Sequence, residues 1–155
     1  MGFSPLGLVV ALCVLAPTLL LVWFPPQVPV PAAHVPRALG LLERAGQALC
    51  VVVPAITLPG RLIGWWAVPA VVALVGYYAL WARYLLDGRT ATALYRPWWV
   101  LPVPMAILPV LVILSTAAWL SNPWIAVAGV ILAAGHIPAS VIIARAVQAG
   151  AQDVP

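Results

Sequence analysis

Residues 37–61, RALGLLERAGQALCVVVPAITLPGR, decide the fold of this chain. At helical spacing, polar and small residues recur three or four positions apart on one face of this stretch. Whether this helix crosses a membrane or lies on its surface determines how often the chain spans the bilayer and where a site can form. The face consists of Gly40, Glu43, Gln47, Cys50, Pro54, Thr57 and Arg61.

The composition of the chain is that of a membrane protein. Of its 155 residues, 65% are hydrophobic and 6% are charged, whereas an ordinary soluble domain carries about 25% charged residues. So little polar surface cannot cover a water-soluble globule of this size. The sequence therefore predicts an all-α integral membrane bundle in a lipid bilayer, with one domain over residues 1–155.

The basic residues are seven arginines, and the net charge is +4. They are dispersed beside apolar runs and form no basic patch with interleaved aromatics, so nucleic acid is not an expected partner. Arginines in such positions are typical of membrane topology signals. Because Ala, Gly, Pro and Arg are abundant and Lys is missing, the coding sequence is expected to be GC-rich. We therefore expect a multi-pass protein of a bacterial plasma (inner) membrane.

Five apolar segments are each long enough to cross a hydrocarbon core of about 30 Å. Prolines within several of them predict kinked helices, and tryptophans near their ends, such as Trp98 and Trp99, are typical of the lipid–water boundary. The proline-rich residues 25–36 are expected to form an extended connector. The five expected spans are residues 5–24, 38–59, 63–86, 98–120 and 124–146.

The arginines favour five spans over four. With five spans, Arg61 lies alone on one side, and the positive-inside rule then places the N-terminus outside and the C-terminus in the cytoplasm. With four spans, residues 37–61 lie on the surface and the asymmetry disappears. That alternative stays open, because a one-sided polar stripe is also typical of an interfacial helix. The arginines on the opposite side of the five-span arrangement are Arg37, Arg44, Arg83, Arg89, Arg96 and Arg145.

A second stripe of small and polar residues lies on the fifth expected span. It includes His136, the only ionisable residue well inside that span, and such a residue is a functional hypothesis by default. Counted from the cytoplasmic ends, His136 and Gln47 are expected at similar depth, with Glu43 one turn nearer the cytoplasm. The stripe consists of Ala126, Gly129, Ala133, His136, Ser140 and Ala144.

We expect the polar faces of the second and fifth spans to meet, so that Glu43, Gln47, His136 and Ser140 form one ligand-binding site. The alternative is that His136 only hydrogen-bonds across two helices and fixes their packing. Much of the remaining surface of the fifth span is expected to face lipid. That surface consists of Ile125, Val130, Ile131, Ile137, Val141 and Ile142.

Other residues carry weaker signals. Tyr77 and Tyr78 are candidate pocket aromatics, and Arg83 with Asp87 has the spacing of an ion pair. We find no paired carboxylates, Ser/His/Asp set, phosphate loop or metal-ligand pattern. Catalytic residues, metals and cofactors are therefore not expected, and neither is an enzyme.

Two functional classes fit these observations. The first is a non-catalytic subunit or accessory protein of a membrane assembly, with another membrane protein or a second copy of the chain as its partner. Small size and few polar interior residues favour it. The second is a carrier or binding protein for a small hydrophobic or cationic molecule, with its site between the second and fifth spans.

Overall fold

The structure, a computed structural model, describes residues 2–98 and 100–152, and for Ala151 and Gln152 the backbone alone. Within these residues the fold is all-α, as the composition predicts. Trp99 and tail residues 153–155 lie outside the described part. The helices are α1 (Pro5–Trp23), α2 (Arg37–Ile56), α3 (Ala67–Leu86), α4 (Ala91–Tyr95), α5 (Pro104–Trp119) and α6 (Pro123–Gln152).

Four helical segments of the described chain are long and apolar enough to cross a membrane, by length and composition. They are α1, α2, α6 and the stretch Gly64–Leu86, in which a 3₁₀ turn leads into α3. Helices of this length and composition are those of a membrane protein. α5 is also apolar but has only 16 residues, which corresponds to about 24 Å.

α5 is shorter than the fourth expected span because two prolines delay its start. Pro102 and Pro104 have no N–H to donate, and each disfavours helical backbone in the residue before it. Trp98 and Leu101 instead exchange two backbone hydrogen bonds of 3.0 Å each. The helix then begins at Pro104, where a proline in the first turn is favourable.

Residues 87–95 contain a short helix that the sequence did not predict. The Oγ1 atom of Thr90 accepts a hydrogen bond from the Ala93 N–H at 3.1 Å and begins α4. Arg83 donates from Nη2 to the Ala93 carbonyl at 3.2 Å. Among the described residues it forms no ion pair with Asp87, so the expected pairing of these two side chains is wrong.

α2 and α6 run antiparallel and in close contact. The contacting pairs are Gly46–Leu132 and Glu43–Gly135. Beyond the end of α2, Thr57 is hydrogen-bonded to Asn122, at the start of α6. α6 continues past the expected end of the fifth span at residue 146, because residues 147–149 contain no proline or glycine to end it.

The helices meet at two ends of the bundle. We call one the Asn122 end: Ser4 donates to the Ala55 carbonyl at 2.8 Å, and Gly60 donates to the Leu120 carbonyl at 2.8 Å. At the opposite end, which we call the arginine end, the Tyr84 hydroxyl donates to the Phe24 carbonyl at 2.8 Å. Successive long helices therefore run in alternating directions between these ends.

α6 packs between α2 and α5, so its buried surface is wider than the predicted stripe. Ile125 is fully buried and packs in one cluster with Cys50 of α2 and Ile113 of α5. Ile125, which lies outside the predicted stripe, is therefore part of the packed surface and does not face lipid. A second cluster joins α3, α4 and α5 around Tyr77, Trp81, Tyr84, Leu94, Leu108 and Val112.

Candidate ligand-binding site

Glu43 and His136 lie in direct contact between α2 and α6. The Oε1 atom of Glu43 is 2.7 Å from Nδ1 of His136. Their side chains are 26% and 23% exposed, so the pair is partly enclosed and still reachable. The structure thus brings together two of the four residues expected to form the site.

Glycines on the two helices make this contact geometrically feasible. A Cβ atom added at Gly135 would overlap the backbone nitrogen of Glu43, and one added at Gly46 would overlap the Cα atom of Leu132. Only glycine allows the backbones to approach this closely. Because Gly135 directly precedes His136, the close approach also holds the imidazole beside the carboxylate.

The partner of His136 is one helical turn away from the expected one. We expected Gln47 at the depth of His136, whereas the contacting residue is Glu43. The expected depths were counted from the ends of the two spans, but α6 extends well past the level at which α2 begins. The register is set by the glycine contacts and not by the helix ends.

Two cavities meet at His136. The first has a volume of about 170 Å³ and is bordered by Gln47, Cys50 and Leu132. The second has a volume of about 110 Å³ and is bordered by Tyr95 and Ser140. Three residues border both cavities, and we call them the waist: Thr18 of α1, Tyr77 of α3 and His136 of α6.

The remaining predicted site residues are placed as follows. Gln47 has an exposed side chain at the border of the first cavity, and buried Ser140 borders the second. Tyr77 is buried in the waist. Tyr78 borders neither of these two cavities.

Tyr78 instead forms a hydrogen bond with the backbone of α1. Pro17 has no N–H, so the carbonyl of Cys13, four residues earlier, lacks its usual helical donor. The Tyr78 hydroxyl donates to that carbonyl at 3.0 Å. Tyr78 is therefore an attachment between α1 and α3, outside the site around His136.

Sequence reasoning missed Thr18 and Tyr95. The Thr18 hydroxyl donates to the Leu15 carbonyl at 2.6 Å, which leaves its oxygen lone pairs as acceptors. A polar residue directly after Pro17 in an otherwise apolar helix was the available signal. For Tyr95 the signal was Thr90, an N-cap residue before an alanine-rich stretch.

Tyr95 is close enough to Glu43 for their charges to interact. Burial raises the pKa of Tyr95 above its ordinary value, and the negative charge of Glu43 raises this pKa further. The phenol is therefore neutral near pH 7. The carboxylate, the imidazole and this phenol make the α2–α4–α6 junction the most polar part of the site.

The Glu43 carboxylate determines how the imidazole can act. An ionised carboxylate only accepts hydrogen bonds, so Nδ1 of His136 carries the proton in their contact. Nε2 is then the ring nitrogen available to a ligand. It accepts a hydrogen bond when the ring is neutral and donates one when the ring is protonated.

Among residues 2–98 and 100–152, no group of three His, Cys, Asp or Glu side chains is arranged to hold a metal ion. Comparison of the chain with protein-family models, with curated proteins and with solved structures gives no match. Function is therefore inferred from the chain's own residues.

Proposed function

We propose that the chain crosses a bacterial plasma membrane five times, with its N-terminus outside and its C-terminus in the cytoplasm. The antiparallel contact between α2 and α6 supports five spans over four. Since α6 is long enough to cross a bilayer, a helix lying antiparallel beside it crosses with it. α5 is the fifth crossing, and residues 100–103, which are not helical, extend its path.

The arginines support the proposed orientation. Arg83, Arg89 and Arg96 flank α4 at the arginine end, and Arg37 begins α2 there. Arg61 lies at the Asn122 end, where its carbonyl accepts a hydrogen bond from the Ser121 hydroxyl at 2.6 Å. The positive-inside rule assigns the arginine end to the cytoplasm.

Thiol labelling in intact cells tests this topology. In a background with Cys13 and Cys50 replaced by Ser, we would introduce Val28→Cys or Leu62→Cys at exposed sites on either side of α2. Five spans predict that a membrane-impermeant reagent labels position 62 and not position 28. Equal labelling of both positions contradicts a membrane-crossing α2.

We infer that this membrane protein binds a small molecule at the junction of its two cavities. The single observation that carries the inference is the waist, where the His136 ring borders both cavities and is held by Glu43. An apolar cavity of about 150 Å³ accommodates benzene. The first cavity, of about 170 Å³, is therefore large enough for the apolar body of a one-ring molecule.

Native mass spectrometry of protein extracted from its own membrane in mild detergent tests the binding function. We expect a small molecule to co-purify with the chain, and we expect Val14→Phe to remove it by filling the first cavity, which Val14 borders. Val9→Phe is the matched control, because Val9 lies on the same helix with 55% of its surface exposed. Retention of the molecule by Val14→Phe contradicts this site.

A non-catalytic subunit role is the second candidate. It is supported by the large share of the described residues that lies in helices and short connections. The same mass spectrometry experiment distinguishes the two. A stoichiometric protein partner, with no small molecule bound, favours the subunit role over the binding role.

A further inference from the structure

We propose that the site binds an organic cation: a protonated amine whose apolar body is about the size of one ring. Its ammonium group pairs with Glu43 beside the waist, and its ring occupies the first cavity. This inference rests on the proposed binding function and names the ligand class for that site.

The negative charge of the site favours a cationic ligand. In the described part of the chain, His136 is the only basic side chain in contact with Glu43, and none of the arginines forms an ion pair with it. With a neutral imidazole, the pair carries one uncompensated negative charge between two apolar helices. Charges at membrane depth are stable when they are paired, so a positively charged ligand is favoured over an anionic one.

The hydrogen-bonding groups around the waist also suit an amine. Nε2 of a neutral His136 accepts a hydrogen bond. The Thr18 hydroxyl donates its hydrogen bond to the Leu15 carbonyl and can accept one as well. Both groups favour a ligand with hydrogen-bond donors, which an ammonium group supplies. The ring of Tyr77 borders both cavities, and aromatic rings attract cations within about 6 Å of their faces.

The shape of the two cavities limits the size of the ligand. Ala11, Val14, Leu15 and Leu132 give the first cavity an apolar wall, which favours a hydrocarbon ring over a polar one. The second cavity, of about 110 Å³, has room for a short substituent on the far side of the waist. A benzylammonium ion has this combination of one ring and one ammonium group.

The test compares benzylammonium with benzyl alcohol, its uncharged analogue, by equilibrium dialysis against the full chain in phosphatidylcholine nanodiscs, with empty nanodiscs subtracted. We expect wild type to bind benzylammonium more tightly than benzyl alcohol. Glu43→Gln should weaken benzylammonium binding by about tenfold or more, as loss of a charge-assisted hydrogen bond predicts. Binding of benzyl alcohol should change little.

Asp87→Asn is the matched control, because Asp87 is an exposed carboxylate in the loop after α3; it should leave both affinities unchanged. Equal affinity of wild type for the two probes overturns the cation proposal while the binding function stands. Binding of neither probe, together with no effect of Val14→Phe, overturns both.

The comparison of the two probes on wild type needs no variant at Glu43. Equal affinities therefore overturn the cation proposal even if Glu43→Gln does not fold.

Discussion

The Asn122 end and the Glu43–His136 pair are both polar regions in an apolar bundle, but they use their polar atoms differently. Asn122 donates to Thr57 Oγ1 at 2.8 Å and to the Leu58 carbonyl at 3.3 Å, and it accepts from the Trp124 N–H at 3.1 Å. It is 4% exposed. Glu43 and His136 contact each other, remain about a quarter exposed and adjoin a cavity.

This difference distinguishes a structural hydrogen-bond network from a candidate binding site. A polar side chain whose donors and acceptors are all used inside the protein stabilises the fold and has nothing to offer a ligand. A polar pair with an unused nitrogen beside a cavity contributes little to stability and can bind. Substitutions in the two regions should therefore affect stability and binding in opposite proportions.

The largest effect is expected from Gly135→Ala, which acts on both stability and binding. The added methyl group overlaps the Glu43 backbone, so the helices must separate, at a cost of about 1–3 kcal/mol or more. The separation also pulls the carboxylate away from the imidazole. Thermal unfolding in detergent measures the first effect and benzylammonium dialysis the second. Gly40→Ala is the control, because nothing lies within 4 Å of its added Cβ; equal stability of the two variants contradicts the close contact.

Asn122→Ala should lower stability and leave ligand affinity unchanged. It removes three partly buried hydrogen bonds. Since each contributes about 0.5–1.5 kcal/mol net, the loss costs roughly 1–3 kcal/mol. Ser121→Ala, which removes a single exposed hydrogen bond to the Arg61 carbonyl, should cost less. The measurements are thermal unfolding and dialysis in parallel. A loss of affinity comparable to that of Glu43→Gln would show that the two regions are not separate.

A double-mutant cycle between Glu43→Gln and His136→Leu should give a small coupling energy. Interhelical hydrogen bonds in membranes average about 0.6 kcal/mol and reach about 1.7 kcal/mol. Each single substitution should nevertheless weaken benzylammonium binding by about tenfold or more. A coupling energy well above that range, with affinity preserved, would identify the pair as a packing contact.

The same cycle with Gln47→Leu in place of Glu43→Gln should be additive within about 0.5 kcal/mol. Gln47 and His136 border one cavity, but no hydrogen bond joins them among the described residues. Chemical denaturation in mixed micelles measures both cycles. A large coupling energy between Gln47 and His136 would support the register of α2 against α6 that was expected from the helix ends.

The smallest expected effect is a change in the titration of Tyr95. Because burial and Glu43 both raise its pKa, the folded protein favours the neutral phenol. This contribution to stability is complete below the ordinary tyrosine pKa of about 10 and is lost as the pH rises through the higher folded value. Glu43→Gln should lower the Tyr95 midpoint, seen as tyrosinate absorbance missing from Tyr95→Phe. An unchanged midpoint would show that the two side chains are apart.

Local signals in the sequence predict much of the fold. The apolar runs predict α1, α2 and α3, and Gly88, with a φ of 71°, follows the end of α3 as a helix stop should. The polar face of residues 37–61 identifies Glu43 as a site candidate, and depth and polarity identify His136. Each of these features depends on neighbouring residues only.

Features that depend on packing are the ones that sequence reasoning misses. The register of α2 against α6 depends on which glycine meets which backbone, and periodicity alone does not specify that pairing. The contribution of Thr18 depends on α1 lying over the space between α2 and α3. Hydropathy does not reveal the late start of α5, because residues 98–103, WWVLPV, contain no charged residue and continue the apolar run.

Pro17 has a consequence for how this protein can diversify. Because Pro17 leaves the Cys13 carbonyl free for Tyr78, α1 is attached to α3 through its main chain. Main-chain atoms also make the other attachments of the α1 segment: the N–H groups of Gly2 and Ser4 donate to the end of α2, and the Phe24 carbonyl accepts from Tyr84. A cavity wall held in this way can exchange its side chains and keep its attachment. Changes at Ala11, Val14 or Leu15 reshape the first cavity without cutting any of these bonds. Substitutions on α1 can therefore change which ligand the cavity prefers during evolution while the hydrogen bonds that hold this helix in the fold are kept.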